Sequence, residues 1–502
     1  MVPRSIRLIA AAAIAFGLTG PGRAADLTAD QARELSGRIL GWMSDLLGGR
    51  VAIPPEVLSV APEGENYRLV LNLPGDALIA RDEADKPMPG LVTVLARPLG
   101  GTQWRIERTR LPASIVLSPA GAAALKTGDI APSAEVHIGA QTGSGVYDIA
   151  LTGDSHSATT LDAFTYTANG LGGTAAQHTA IDHYAGTSVM RPTGGGALTI
   201  AADGVLDGYT HLTADPTIGE IRVKARRIKA HTDIDAVMTG QVATVMRILV
   251  DAVMDLSAAK QTGEAKDISD EAANKRARQA LHTALGASRG MIGGLKLDET
   301  IEALEISAAG KQGFVESLHF AMGGEAPGDR LGLFMEIGVD GVKIPDLPPE
   351  FAGLVPKSFV FRPTVGHIDL KGLTALAEDA AADDADMDEI SGKLMALLGT
   401  GGVRIGLDRF GLDLGFAGLK ATGEMTVAGP ASARGKGQVS LTGFDALMQR
   451  VRAIPEAAQA IPVLLLMKGL SKTDGGQLVW DIALSEDNKL LVNGTDIAKM
   501  GK

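Results

Sequence analysis

Cysteine is absent from this sequence of 502 residues. Disulfides and thiolate metal ligands are therefore excluded, and so is a lipid anchor attached through cysteine. Long hydrophobic runs are missing as well, because the apolar run 8–18 is only about half of the roughly 20 residues that a membrane-spanning helix needs. We expect a chain without a permanent membrane anchor, stabilised by buried apolar area.

An excess of positive charge is also missing, since the net charge is −12. An acidic protein is repelled by phosphate backbones unless it carries a local basic patch. The basic cluster Lys224–Lys229 is flanked by alternating apolar residues, as on the outer face of a strand. Nucleic acid is therefore excluded as a partner.

The N-terminus has the three-part layout of a secretory signal. Arg4 and Arg7 precede the apolar run, and the small residues Gly22 and Ala24 follow it. We predict that residues 1–24 are a signal peptide cleaved after Ala24. The expected location is the periplasm of a bacterial envelope.

Aromatic residues are scarce, at 4%, whereas glycine occurs 63 times. Small side chains favour strands that pack closely and bend, with many tight turns. Hydrophobic residues alternate with period two from Val51 to about Ala230, with connections too short for helical crossovers. An amphipathic helix precedes them, with Thr28 as its cap and a stripe expected to pack on the sheet. We predict an α+β fold of long curved antiparallel sheet or sheets, with helices packed on one side.

The period changes along the chain and divides it into two β-rich halves separated by a helical segment. The N-terminal half is predicted at residues 25–290, and it includes a helical layer at residues 233–286. The C-terminal half is predicted at residues 291–502, with helices at 375–398 and 444–470.

Several short motifs resemble chemical sites without their structural context. Gly286–Gly290 matches the G-x-S-x-G pattern around Ser288, but it follows a predicted helix ending at Leu285, so Gly286 fits a helix C-cap. The acidic residues between Asp379 and Glu389 lack calcium-loop spacing. His178 and His183 are five positions apart, and this odd spacing places them on opposite faces of a strand. We predict no catalytic, cofactor-binding or metal-binding residue.

Four segments of the C-terminal half resemble an alphaproteobacterial envelope family, known as domain of unknown function 2125. They are "KIPDLPPEF" at Lys343–Phe351, "FVFRPTVGHIDLKGLTAL" at Phe359–Leu376, "GLKATGEMTVAG" at Gly418–Gly429 and "GKGQVSLTGFDALMQRV" at Gly435–Val451. "LLVNGTDI" at Leu490–Ile497 is more distantly similar to the 945 family. The resemblance covers residues 290–500 and implies a periplasmic protein of extended antiparallel sheet, related to AsmA-like envelope proteins linked to lipid handling. It assigns no functional residue.

The segment "IPVLLLM" at Ile461–Met467 is the most apolar after the signal. Such a run is typical of a core, or it lines a site for a hydrophobic ligand. The candidate groove residues are Ile461, Val463, Leu464, Leu465 and Leu466. We expect a non-catalytic periplasmic envelope protein that binds a lipid or another hydrophobic ligand in an apolar groove and contacts other envelope proteins. The alternatives are a hydrolase of unknown substrate and a purely structural envelope scaffold.

Overall fold

A computed structural model provides the three-dimensional structure of the protein. It describes residues 28–46, 53–72, 78–100, 103–117, 133–148, 153–168, 176–215, 219–252, 279–287, 290–326, 330–348, 351–380, 386–400, 402–429 and 432–499, apart from the single positions 83, 85, 87, 89, 239, 243, 246, 250, 281, 285, 352, 486 and 488. The predicted signal peptide, residues 1–24, lies outside the described residues, and so does Ser288.

The chain divides into two compact units. Unit 1 comprises Met1–Ile292 with Ala381–Asp383, and unit 2 comprises Gly293–Ala380 with Asp384–Lys502. Strands account for 62% of the structure and helices for 22%. The protein is therefore mainly antiparallel β-sheet with a minority of helices.

Unit 1 contains one long N-terminal helix, α1, at Ala29–Leu46. Its strands are β1 (Leu58–Glu63), β2 (Asn66–Leu71), β3 (Leu78–Arg81), β4 (Val92–Gly100), β5 (Gln103–Arg110), β6 (Ser114–Leu117), β7 (Ala134–His137), β8 (Gln141–Asp148), β9 (Gly153–Ala168), β10 (Ala176–Gly194), β11 (Ala197–Asp215) and β12 (Gly219–Met238). Antiparallel pairing gives the order β1-β2-β4-β5-β8-β9-β10-β11-β12. A second branch, β3-β6-β7, joins the last four residues of β9.

The predicted N-terminal helix and its cap are confirmed. The Thr28 hydroxyl accepts a hydrogen bond from the Gln31 backbone N–H at 3.2 Å, and the Gln31 side chain accepts one from the Thr28 N–H at 3.1 Å. This reciprocal pair satisfies two N–H groups that the first turn leaves free. The apolar stripe of α1 packs on β1, β2, β4 and β5, in a core formed by Ala32, Leu35, Ile39, Val57, Leu58, Tyr67, Leu69, Leu71, Val92, Val94, Ala96, Trp104 and Tyr147.

The predicted start of the helical layer at residue 233 is wrong. Asp233–Met238 continue β12, where Ile234 pairs with Ile200 of β11. The spacing of the apolar residues there suits a helix as well as a strand, and backbone pairing with β11 decides the outcome. Helical residues occur within 240–252 and 279–287. The second of these ranges includes Gly286, so the helix does not end at Leu285 as predicted.

Unit 2 has the same antiparallel character. Its strands are β13 (Gly294–Ala308), β14 (Lys311–Glu325), β15 (Arg330–Asp340), β16 (Ser358–Asp369), β17 (Val403–Asp413), β18 (Gly418–Gly429), β19 (Ser432–Thr442), β20 (Lys472–Asp474), β21 (Gln477–Leu484), β22 (Leu490–Val492) and β23 (Thr495–Asp496). Strands β13 to β19 pair in chain order, and β21 follows β19. The far edge of β21 pairs with β20 and β22, and β22 pairs with β23.

The helices of unit 2 are α2 (Leu370–Ala380), α3 (Met387–Thr400), α4 (Phe444–Ala453) and α5 (Ile461–Leu470). The predicted single helix at 375–398 is wrong, because Asp386 is not helical and its carboxylate accepts the Asp388 N–H at 2.9 Å, which caps a new helix. The predicted helical stretch 444–470 consists of α4, a 3₁₀ turn at Pro455–Ala460, and α5.

A bulge in β17 explains an irregularity in the sequence. Apolar residues alternate at Val403, Ile405 and Leu407, and then resume one position late at Phe410. The register between β17 and β18 shifts between Leu407 and Phe410, so one extra residue is accommodated there. Such a bulge keeps the apolar residues before and after it on one face of the sheet.

Candidate functional site

One face of the unit 2 sheet carries an unbroken row of apolar residues and glycines. Each member is the direct cross-strand partner of the next, and such partners point to the same face of a sheet. This first row runs through eight strands, from β13 to β21: Leu295, Gly324, Leu333, Val365, Ile405, Met425, Gly435 and Leu484.

Three further rows lie beside the first, two residues apart along each strand except at the β17 bulge, where Phe410 follows Leu407 by three residues. The second row contains Leu297, Met322, Met335, Pro363, Leu407, Gly423, Gly437 and Ile482. The third contains Phe320, Ile337, Phe361, Phe410, Ala421, Val439 and Trp480. The fourth contains Ile301, Leu318, Val339, Phe359, Leu412, Leu419, Leu441 and Leu478. The β13 position of the third row is Glu299, so the apolar part of that row begins at β14. Together the four rows define the apolar face.

The opposite face, the charged face, carries ionic side chains that pair with one another. Arg362 donates from Nη1 to Glu336 Oε2 at 3.0 Å, and its guanidinium lies over the Phe334 ring at 4.7 Å from the ring centroid. The β17 bulge adds two consecutive residues to this network: Asp408 lies 3.5 Å from Arg362, and Arg409 lies 3.7 Å from Glu336. The buried Glu336 carboxylate on this face is therefore paired with two arginines.

On β15, a residue of the apolar face is more exposed than its neighbour on the charged face. Met335, on the apolar face, is 37% exposed, whereas the next residue, Glu336, is only 7% exposed. Leu295, Met322, Leu333 and Ile405, all in the first two rows, are exposed as well. Contiguous exposed apolar surface of this kind is typical of a binding surface.

Helices α4 and α5 cover the β18–β21 end of the apolar face. Their inner residues, including Phe444 and Met448, form a core with Leu441, Leu478 and Trp480. The Trp480 indole N–H donates to the Met467 carbonyl at 2.8 Å, which satisfies one of the last carbonyls of α5.

The candidate groove residues divide between two sides of α5. Ile461 and Leu464 pack against the core of α4, β19 and β21. Val463, Leu465 and Leu466 are 59%, 50% and 58% exposed, so they lie on the outer side of the helix. The apolar face of β13–β17 was not among the predicted site residues. The signal for it was present, because the alternation of each strand marks one apolar face, but only the strand pairing shows that these faces coincide.

A cleft of about 260 Å³ lies between α4, α5 and the sheet. Every lining residue is apolar or glycine: Leu412, Leu414, Ala417, Gly418, Leu419, Val439, Leu441, Phe444, Leu447, Leu464, Met467 and Trp480. Five of them belong to the third and fourth rows, so the cleft occupies one end of the apolar face.

The polar features singled out in the sequence have local partners. Lys393 bonds Asp379 at 2.8 Å and Glu389 at 2.9 Å, and these carboxylates raise the pKa of the Lys393 ammonium. His178 bonds Thr167, and His183 bonds Asp162. Within the described ranges, no group of three or more acidic, histidine or cysteine side chains is arranged to hold a metal ion.

Comparisons with known proteins add no relatives: no family model matches the chain, and neither the curated proteins nor the solved structures give a match. The resemblance to domain of unknown function 2125 therefore stays a prediction. Among the described residues, no helix is both long enough and apolar enough to span a membrane.

Proposed function

We propose that this chain is a non-catalytic periplasmic envelope protein that binds a lipid or another hydrophobic ligand along the apolar face of unit 2. In this proposal the sheet is curved, the helices lie on one side of it, and residues 1–24 direct export. The resemblance to an envelope family supports the same location. Contact with other envelope proteins, which would deliver or receive the ligand, belongs to the proposal.

The observation that carries the proposal is the reversed burial of Met335 and Glu336. An exposed methionine beside a buried carboxylate is unfavourable for an isolated protein in water. The apolar side chain stays in contact with water, so the protein does not obtain the free energy that its burial would supply. Leu333, in the adjacent row on the same strand, is 44% exposed. Each such side chain would gain roughly 25 cal/mol for every Å² that a ligand removes from water.

The chemistry of the first two rows favours a hydrocarbon chain. Their side chains carry no hydrogen-bonding group, and the backbone groups between the strands are used in the ladders. A ligand with many polar groups would therefore lose its hydration on this surface without compensation. An acyl chain has no polar groups and therefore loses no hydrogen bonds to water on this surface.

The length of the face also suits an acyl chain. A row across eight strands has seven strand-to-strand steps, and at about 4.8 Å each this gives about 34 Å. The hydrocarbon core of a bilayer, which two acyl chains fill end to end, is about 30 Å thick. One row can therefore hold a full-length chain.

Lipid mass spectrometry and a binding titration test the proposal. We expect the mature protein, purified from the periplasm, to retain lipid and to bind fluorescently labelled palmitate. Met335→Glu and Ile405→Glu each place a carboxylate on the apolar face, and we expect each to weaken palmitate binding by about tenfold or more, since burying an unpaired carboxylate is costly.

Thr422→Glu is the matched control. Thr422 is exposed and lies on the charged face as the direct partner of Gln438, so the same new charge is introduced on the other side of the sheet. We expect this variant to bind palmitate like the unmodified protein. A protein that is isolated without lipid and does not bind labelled palmitate would refute the proposal.

A further inference from the structure

We infer that the cleft beneath α5 receives the methyl end of one unbranched hydrocarbon chain, whose remainder lies along the apolar face. This inference rests on the proposed function and extends it, because it assigns a direction to the bound ligand. The polar end of the ligand then lies away from α5, toward the open rows of β13–β17.

The lining of the cleft selects a chain end and rejects a head group. Its single indole N–H, on Trp480, already donates to the Met467 carbonyl, so no side-chain donor is left for a ligand. A polar head group placed there would be buried without hydrogen bonds, which is unfavourable. A methyl terminus requires only contact with apolar atoms.

The size of the cleft suits a segment of chain. An engineered apolar cavity of about 150 Å³ is large enough to hold benzene. The cleft of about 260 Å³ is larger, and it is lined on the sheet side by Leu412, Leu419 and Leu441 of the fourth row. Because the first to third rows continue from this end of the sheet, a chain that lies on the open face can extend into the cleft without crossing a polar surface.

Helix α5 offers a matched pair of positions for a test. Leu464 lines the cleft, and Leu466, two residues later, is exposed on the outer side of the same helix. Leu464→Trp fills the cleft, whereas Leu466→Trp adds the same ring outside it. Neither residue supplies a polar contact, so the two variants differ in where the added volume lies.

Binding of labelled palmitate to the full mature chain gives the first readout. We expect Leu464→Trp to weaken binding by about tenfold, the loss that corresponds to about two methylene groups excluded from an apolar site. We expect Leu466→Trp to bind like the unmodified protein. Circular dichroism and thermal unfolding show whether both variants fold.

Fluorescence quenching gives a second readout, which does not require a variant whose cleft is filled by a larger side chain. Trp480 forms one wall of the cleft and is only 2% exposed. Stearate with a nitroxide near its methyl end should quench tryptophan emission more strongly than stearate with the nitroxide near its carboxyl end. This difference should disappear in Trp480→Phe and persist in Trp104→Phe, because Trp104 belongs to the unit 1 core.

The outcomes separate this inference from the function on which it rests. If the unmodified protein binds no palmitate, the proposed function fails. If it binds palmitate, but Leu464→Trp binds equally well and both nitroxide positions quench Trp480 alike, only the direction of the ligand is wrong. Stronger quenching by the carboxyl-end nitroxide would reverse the direction.

Discussion

The long strands of the two units use the same antiparallel pattern and present different surfaces. In unit 1, the middle of β9–β12 carries a ladder of four directly paired charged or ionisable residues on one face: Asp162, His183, Asp207 and Arg227. Arg227 donates to Asp207 at 2.6 Å, and this bond lowers the pKa of the Asp207 carboxyl. In unit 2, Glu336 is buried and paired with Arg362 and Arg409, whereas several large apolar residues of the first two rows are exposed.

On the other face of β10 and β11 in unit 1, small residues around Gly186 and Gly204 are covered by a neighbouring tyrosine. The Tyr184 ring lies across Gly186, where an added Cβ would come within 2.2 Å of the Tyr184 hydroxyl, and it reaches Gly204 as well. The adjacent hollow of about 330 Å³ includes hydroxyl groups such as Ser157 and Ser188, which bond each other at 2.7 Å.

This difference locates the binding surface that we propose. Unit 1 covers Gly186 and Gly204 with Tyr184, and the adjacent hollow mixes hydroxyl groups with Leu206 and Ile228, which are only partly exposed. Unit 2 leaves Leu333, Met335 and Ile405 in contact with water. Period-two alternation alone therefore does not identify a hydrophobic binding site. Whether such a site forms depends on the size of the apolar side chains and on whether other side chains cover them.

The largest expected difference between the units is in the stability that each loses when its buried tryptophan is replaced by phenylalanine. Trp480→Phe removes part of the unit 2 core and leaves the Met467 carbonyl without its donor, so we expect a loss of about 2 kcal/mol in the free energy of unfolding. The buried Trp104 Nε1 has no hydrogen-bond acceptor among the described residues, so Trp104→Phe should cost only about 1 kcal/mol, for lost volume.

Urea denaturation of both variants, followed by circular dichroism, measures this difference. The packing of Trp104 on Tyr67, with ring centroids 6.1 Å apart, is largely preserved by phenylalanine. Equal losses in the two variants would show that the hydrogen bond to Met467 contributes nothing to the stability of unit 2.

Much of the fold could be predicted from the sequence, because strands depend on local alternation and turns. Helix α1 was predicted with its Thr28 cap, and the alternation from Val51 to about Ala230 predicted antiparallel strands in the region of β1–β12. The continuation of β12 through Asp233–Met238 was missed because partners in β11, not local spacing, determine it. The apolar face was missed for the same reason, since Leu333 and Ile405 share a row only through the long-range pairing of β15, β16 and β17.

A glycine in each unit tests whether Tyr184 covers the small residues of unit 1. Gly186→Ala should force the Tyr184 ring off the small-residue face and cost about 1–2 kcal/mol, as overpacking usually does. Gly313→Ala, in β14 of unit 2, is the matched control, because an added Cβ meets nothing within 4 Å there. We expect it to be neutral or to stabilise the protein by about 0.5 kcal/mol, since alanine loses less backbone entropy than glycine on folding.

Thermal unfolding of the two glycine variants distinguishes the possibilities. A lower midpoint for Gly186→Ala with an unchanged or higher midpoint for Gly313→Ala would support the role of Tyr184 as a cover. If Gly186→Ala is as stable as the unmodified protein, Tyr184 does not pack on this face.

The smallest expected effect is a pH dependence of stability that arises from His231 in unit 1. The Asp203 carboxylate bonds His231 Nδ1 at 2.7 Å, and Asp233 bonds Nε2 at 2.8 Å, so these two hydrogen bonds raise the pKa of His231 above its usual value of 6.5. Because the folded pKa is the higher one, this stabilisation is fully present below about pH 6.5 and is lost as the pH rises through the raised pKa. Since the His231 side chain is 38% exposed, solvent screening limits the contribution to less than about 1 kcal/mol.

Chemical denaturation at pH values below and above this window, for the unmodified protein and for His231→Gln, measures the effect. The glutamine variant should lose the part of the pH dependence that falls above pH 6.5, because its amide does not titrate. The pairs that Arg362 and Arg409 make with Glu336 in unit 2 should contribute no such change, since arginines stay charged in proteins. Stabilisation by His231 that grows as the pH rises would contradict the assignment, because only the protonated imidazole can donate to both carboxylates.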